Sequence, residues 1–244
     1  MRGALLPLLL LCCFCSRTQE QWEEMPRKLE DSVWASSEFE EILGGRRIRY
    51  PASNLFDRSD QTCWAEASKG DGIGESVTFI TNRPVMQITL VNGFARNADL
   101  YSRNGRVKRL GVYLVAAFTA PGLVSETDYY LYFGRSTKAK ASITLEDTPE
   151  PQTFDFPMSS EEQESFLQVS LEQFLEQYPD FAEKIEEELG YKNAEELYGR
   201  RLAAFFRDAK EAFSILCVKV EIEAVYKGSE FQETCLTDIE VLLE

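Results

Sequence analysis

Between Asn54 and Trp64 the chain reads Asn-Leu-Phe-Asp-Arg-Ser-Asp-Gln-Thr-Cys-Trp, which sets the carboxylates of Asp57 and Asp60 and the hydroxyl of Thr62 around one turn. Oxygen donors so spaced suit a hard cation, since calcium takes oxygen ligands at about 2.3–2.6 Å and a curled loop can add backbone carbonyls. The same loop can equally be an Asx-turn, in which the acids accept only from backbone N–H groups. A second set follows in one loop region: Asn92, Asn97, Tyr101, Asn104, Arg106 and Lys108. A flat aromatic face for C–H groups, with amide and guanidinium donors for hydroxyls, is the chemistry that recognises a sugar. These side chains can also brace a long loop by bonding to its backbone. Both readings stay open at both places.

Other chemistry is closed off by composition. The chain has no histidine, so neither a Ser-His-Asp nor a Cys-His nucleophile can be built within it, nor an imidazole-ligated zinc site. General acid–base work would fall on carboxylates, lysine or tyrosine. Paired carboxylates could suggest a glycosidase, but with 41 acidic residues chance pairs are plentiful. Gly70-Asp-Gly-Ile-Gly74 lacks the GxGxxG spacing and no Lys-Ser/Thr follows it, so it reads as a tight turn into a strand rather than a phosphate cradle. Trp64 reads as core beneath the acidic loop. The formal net charge of -15 repels phosphate backbones, which argues against nucleic acid and favours calcium.

The N-terminus reads as an export signal over residues 1–18: Arg2, then the apolar run Ala4 to Cys15, which is shorter than the roughly 20 residues a membrane span needs. Leu10-Leu11-Cys12-Cys13 loosely resembles the lipid-attachment site of bacterial lipoproteins, so a secreted protein and an envelope protein held to the membrane by a lipid anchor both fit. Cys63, Cys217 and Cys235 then remain. An oxidising compartment permits one disulfide among them and leaves one thiol over; three reduced, buried thiols fit equally well.

The elements that must position these groups divide the chain. Residues 19–45 are polar and acidic, with a short helix expected before Gly44-Gly45. From 46 to 158 short β-rich runs alternate with turn residues: Ser76–Ile80, Met86–Val91, Val107–Ala117, Tyr129–Phe133, Ala141–Leu145 and Thr153–Phe156. Many short strands at this spacing indicate an antiparallel sandwich or barrel. Across 159–213 the pattern turns helical, with Leu167, Leu171, Phe174, Leu175 and Tyr178 before Pro179, and a further helix start at Asn193 with Glu196. In 214–244 strand patterning resumes, Leu216, Val218, Val220, Ile222 and Ala224 alternating with polar residues before a last strand at Leu236–Leu243. Strands on both sides make the helices an insertion into one sandwich. The apolar helix faces are expected to pack on each other and cap one end of it, or to offer a surface to a protein partner.

Four stretches carry a resemblance. They are Tyr50-Pro-Ala-Ser-Asn-Leu-Phe-Asp57 with Thr62-Cys-Trp-Ala-Glu66; Lys69-Gly-Asp-Gly-Ile-Gly-Glu75; Val91-Asn-Gly-Phe94 with Asn97, Tyr101, Asn104 and Arg106-Val-Lys108; and Val225-Tyr-Lys-Gly228 with Thr234-Cys-Leu-Thr-Asp-Ile239. In order and spacing the chain resembles the NADase-type glycan-binding domain, a discoidin-like module named for its place in a bacterial NAD glycohydrolase toxin. The helical insertion departs from that pattern, and so does Cys63, where alanine or a similar residue is expected. The resemblance implies a mainly β fold, a galactose-binding-like (discoidin-type) jelly-roll β-sandwich with an α-helical insertion. It implies no NAD hydrolysis, because the catalytic domain of such toxins is a separate unit. It also implies that an acid from the last strand, Asp238 here, completes a structural calcium site with Asp57, Asp60 and Thr62. The expected function is non-catalytic recognition of carbohydrate outside the cytoplasm, with Asn97, Tyr101, Asn104 and Arg106 as ligand contacts. Its rivals are a protein-interaction role through the helices and, behind it, a carboxylate glycosidase.

Overall fold

The structure is a computed structural model that describes residues 22–28, 31–119, 125–126, 129–137, 141–181, 183 and 214–244. The expected export signal, the lipid-attachment cysteines and the helix expected from Asn193 lie outside these residues.

Thirteen strands and two α-helices follow in order among the described residues: β1 (Glu23–Lys28), β2 (Val33–Ala35), β3 (Phe39–Leu43), β4 (Arg46–Tyr50), β5 (Trp64–Ala65), β6 (Ser76–Ile80), β7 (Val85–Asn92), α1 (Ala98–Arg103), β8 (Gly105–Phe118), β9 (Tyr129–Ser136), β10 (Ala141–Thr144), β11 (Gln152–Asp155), α2 (Ser160–Gln177), β12 (Ser214–Tyr226) and β13 (Thr234–Leu243). A 3-10 turn, Ala52–Phe56, precedes the acidic loop. Every strand anticipated from alternation is present within a few residues.

Hydrogen bonding runs β11-β7-β13-β8-β12-β6-β2, with β9 and β10 also on β8, β5 on β13 and β1 on β9. The strands form two layers that meet where β13 runs briefly parallel to β8, at Thr234 opposite Gly105 and Cys235 opposite Arg106. One layer contributes Ile88, Leu90, Leu236 and Ile239 and the other Val112, Leu114, Val218, Val220 and Phe79, all in one buried cluster. Alternate residues of β12 reach this core, as the period-two pattern requires. The arrangement is the expected β-sandwich. Asn92 stitches its ladder from the side: its amide donates to the Val107 carbonyl at 2.7 Å and its carbonyl accepts from the Val107 N–H at 2.9 Å.

Residues before Gly44-Gly45 form strands rather than the expected short helix. Both glycines have positive φ, +59° and +79°, as a two-residue hairpin turn requires. That turn brings β3 against β4, where Phe39 stacks on Tyr50 and Glu40 meets Arg47 and Arg49. Cross-strand partners thereby outweigh local helical preference. Upstream, β2 joins β6 and β1 joins β9, so strands of the main sheet begin well before residue 46.

The helix α2 starts on a capping box, Ser159 bonding the Glu162 N–H while the Glu162 carboxylate returns to the Ser159 N–H. Its Leu167, Leu171 and Phe174 cover Ala116 and Phe118, where β8 runs past the end of the main core. Phe174 stacks on Phe118 with centroids 5.2 Å apart, and Trp22, Phe133, Tyr178 and Phe181 complete an aromatic cap. This described part of the insertion therefore closes one end of the sandwich. Its link to the core is Gln163, fully buried, whose amide bonds both backbone groups of Val85 and the Met158 carbonyl.

Candidate functional site

The acidic loop follows the 3-10 turn. Asp57 accepts from the Ser59 N–H at 2.9 Å through one oxygen and from the Thr62 hydroxyl at 2.7 Å through the other. This is an Asx-turn. Asp60 instead accepts from the Gln61 side chain. Trp64 is buried as expected, its indole N–H donating to the Ser37 carbonyl at 3.0 Å. Asp238 stands on β13 at a register shift between Leu236 and Asp238. Its Oδ1 is buried and has no hydrogen-bond partner among the described residues. Burial pushes its carboxyl pKa up first, with Glu240 and Asp57 adding to this, against the backbone N–H groups of Arg58 and Ile239. Arg58 adopts φ +58°, a left-handed conformation. The fold thus brings Asp57 and Asp238 together and engages Asp60 elsewhere.

An unpartnered, desolvated carboxylate oxygen beside a second acid is the donor chemistry a hard cation takes. Asp57, Asp238 and the Thr62 hydroxyl fit such an ion. Among the described residues, no three Asp, Glu or Cys side chains converge tightly enough to hold a metal by themselves, so backbone carbonyls and water would have to supply the rest.

The polar-aromatic set is also brought together, around α1. Asn97 caps the helix by accepting from the Leu100 N–H at 2.9 Å, and Asn104 closes it by donating to the Leu100 carbonyl at 2.8 Å. Arg106 binds both oxygens of Asp147, at 2.9 and 3.0 Å, and the carbonyls of Asn104 and Lys227, at 2.9 and 3.2 Å. Tyr101 lies under its guanidinium, 5.3 Å from the ring centroid, and donates to Asp147 at 3.1 Å. Burial, then Asp147, push the Tyr101 phenol well above its ordinary pKa. Each of these side chains is engaged within the protein, in the bracing role.

What they brace is the loop between β12 and β13. The N–H of Ser229 bonds the Ser102 carbonyl, and those of Glu230 and Phe231 bond the Arg103 carbonyl. Gly228 sits so close that a Cβ there would meet the Arg103 carbonyl oxygen at 2.3 Å. Over this frame lies an open cleft of about 260 Å³, lined by Asp71, Gly105, Val225, Lys227, Gly228, Glu230, Phe231, Gln232 and Thr234. Phe231 is 37% exposed, and its ring is held by Arg103 at 4.9 Å. Arg103 in turn pairs with Glu230, and Lys227 pairs with Asp71 across the cleft at 3.2 Å. The Thr234 hydroxyl donates to the Asp71 carbonyl, and buried Glu66 accepts from the Thr234 and Ser68 N–H groups. Phe231 and Gln232 were not singled out by their sequence, and Asp71 entered only as part of the Gly70–Gly74 turn. An exposed aromatic between Glu230 and Gln232 was the signal available.

Residues 27–242 match the family described as the NAD glycohydrolase translocation F5/8 type C domain. The chain belongs to this family. Its β-sandwich, and its character as a translocation or binding type of module, are those of an F5/8 type C domain. No curated protein matches it. Among solved structures, a mycobacterial arabinofuranosyltransferase, AftD, is similar at 13% identity and a TM-score of 0.41, over 91% of this chain and 11% of that one. A Ruminococcus gnavus GH29 fucosidase in complex with fucose is similar at 11% identity and a TM-score of 0.27, over 87% and 25%. The chain thus spans a small part of either enzyme, and likenesses this loose carry nothing about function. No helix among the described residues of this F5/8 type C domain is long and apolar enough to cross a membrane.

Proposed function

We propose that this F5/8 type C domain is a non-catalytic, extracytoplasmic module that recognises carbohydrate in the cleft beside the β12–β13 loop. The observation that carries the reading is Phe231, an exposed ring lining an open cleft of mixed polar and apolar character. Ring faces pack against sugar C–H groups, and Gln232, Lys227 and Asp71 supply the donors and acceptors that hydroxyls need. At about 260 Å³ the cleft is smaller than the roughly 300–1,000 Å³ of most drug-sized sites, which suits a single sugar ring at a chain end. Asn97, Tyr101, Asn104 and Arg106 support this cleft from behind.

Calcium has a structural place in this reading. Bound by Asp57 and Asp238, with Thr62 beside them, it would pair the desolvated Asp238 oxygen and pin the acidic loop to β13. The apolar run at 4–15 would direct export, with Cys12 or Cys13 as the point of any lipid anchor.

The test is a glycan array probed with the purified chain in calcium and again in chelator. Specific binding that Phe231→Ala removes supports the reading. Silence in both conditions from a folded protein overturns it and turns attention to a protein partner of the helical insertion.

A further inference from the structure

The three remaining cysteines are distributed unevenly. Cys63 and Cys235 are both fully buried and fall in one small cluster with Ala65 and Phe94, rimmed by Phe39, Tyr50 and Leu100. β5 pairs with β13 so that Cys235 stands opposite Ala65, two residues along from Cys63. The backbone of Cys63 is itself fixed, its carbonyl accepting from the Asn54 amide at 2.8 Å. Both are free thiols in the structure, the Cys235 sulfur 4.0 Å from the Glu233 carbonyl oxygen. Cys217 belongs to a different cluster, with Val115, Ala117, Tyr132 and Ile215.

We infer that Cys63 and Cys235 form a disulfide that ties the acidic loop to the last strand, leaving Cys217 as a buried thiol. Forming the bond removes two protons and two electrons from the two thiols. A small disulfide such as oxidised glutathione accepts them and leaves as two thiols, by way of a mixed disulfide. The native site is a poor place for that exchange. The Cys63 contact, burial, and the charges of Glu233 and Glu66 all disfavour a Cys235 thiolate, and the thiolate is the attacking species. The bond therefore closes while the chain folds, before β13 seals the cluster. Once made, the same burial shields it from reductant. Its ends lie next to Thr62 and three residues before Asp238, so it draws the two arms of the acid pair together whether or not calcium binds.

Occurrence in the cell rests on the export reading, but the chemistry can be tested without it. The full chain is unfolded, refolded in a glutathione redox buffer, quenched with acid, alkylated and mapped by mass spectrometry without reduction. The expected product is one linked peptide pair joining Cys63 to Cys235, with Cys217 and the N-terminal Cys12, Cys13 and Cys15 carrying the label. A second measurement guards against misfolded variants: reductant added during unfolding should lower the melting temperature of the oxidised wild type by on the order of 5–15 °C. Cys63→Ala, Cys235→Ala and the double variant should all melt alike and ignore reductant. Full labelling of both thiols, a bond to Cys217, or additive losses in the variants with no effect of reductant on the wild type would each overturn the assignment. Glycan binding enters none of these readouts.

Discussion

Arg106 grips Asp147 through two parallel hydrogen bonds, at 2.9 and 3.0 Å, while a further nitrogen reaches the carbonyls of Asn104 and Lys227. The guanidinium is 10% exposed and the carboxylate 39%. Removing it by Arg106→Ala would strip three segments of their shared donor. The expected loss is about 1.5–3 kcal/mol, below that of a fully buried pair because water reaches Asp147. Urea unfolding measures it. The Arg106 hydrogen bond chiefly holds the Asp147 carboxyl below its usual value of 3.8. A folded pKa below the unfolded one means that the contribution is complete above the unfolded value and fades as pH falls toward the folded one. The gap between wild type and Asp147→Asn should therefore narrow under strong acid.

Asp238 has the opposite sign. Its raised folded pKa means that protonation favours the native state, a benefit present below the unfolded value and lost as pH rises through the folded one. Once ionised, its Oδ1, unpartnered among the described residues, is a cost that a cation would relieve. Calcium should raise the melting temperature, by an increment that grows with free calcium. Asp238→Asn should lose most of that increment and melt no lower than wild type in chelator. Scanning calorimetry in calcium and chelator decides the matter, and a wild type indifferent to calcium removes the ion from the proposal.

Phe231 and Gln232 are exposed loop residues whose side chains, among the described residues, make no hydrogen bond or ring contact apart from that of Phe231 with Arg103. Phe231→Ala and Gln232→Ala should therefore unfold within about 0.5 kcal/mol of wild type while weakening glycan binding tenfold or more. Tyr101→Ala should do the reverse first, lowering stability and weakening binding only as the frame behind the loop loosens. Titration calorimetry beside thermal melts separates the two patterns.

Gln163→Leu keeps the volume of the buried side chain and deletes its hydrogen bonds. The Val85 N–H and carbonyl and the Met158 carbonyl would be left without that partner. A loss of about 2–4 kcal/mol follows from the desolvation cost of such groups. Gln163→Glu should cost at least as much at neutral pH, since a carboxylate cannot donate to the two carbonyls.

The sandwich was legible because alternation reports burial directly. Leu216, Val218, Val220 and Ile222 face the core as their spacing requires. The β3–β4 hairpin was not, because Glu40 and Glu41 read as helix formers until Arg49 stands across from Glu40 and the Tyr50 hydroxyl donates to Glu41. The sequence named Asp57, Asp238 and the residues around α1, and the fold sets Asp57 in a turn, Asp238 on β13 and the α1 set behind the β12–β13 loop. It could not say that Asp60 turns to Gln61, since side-chain direction in a loop depends on its final geometry. Nor could it find the cleft, which exists only because β12, β13, α1 and the turn at Asp71 meet in space.

The β12–β13 loop is secured by its backbone: three N–H groups on the last turn of α1, and Gly228 pressed against the Arg103 carbonyl. None of those anchors uses the side chain of Gln232 or the ring of Phe231. A ligand entering the cleft would meet a frame already set, and would forgo little chain entropy in binding. The same separation makes the loop interchangeable in chemistry while constant in shape. On the proposed reading, substitutions at 231 and 232 would retune ligand choice without refolding the loop that presents them.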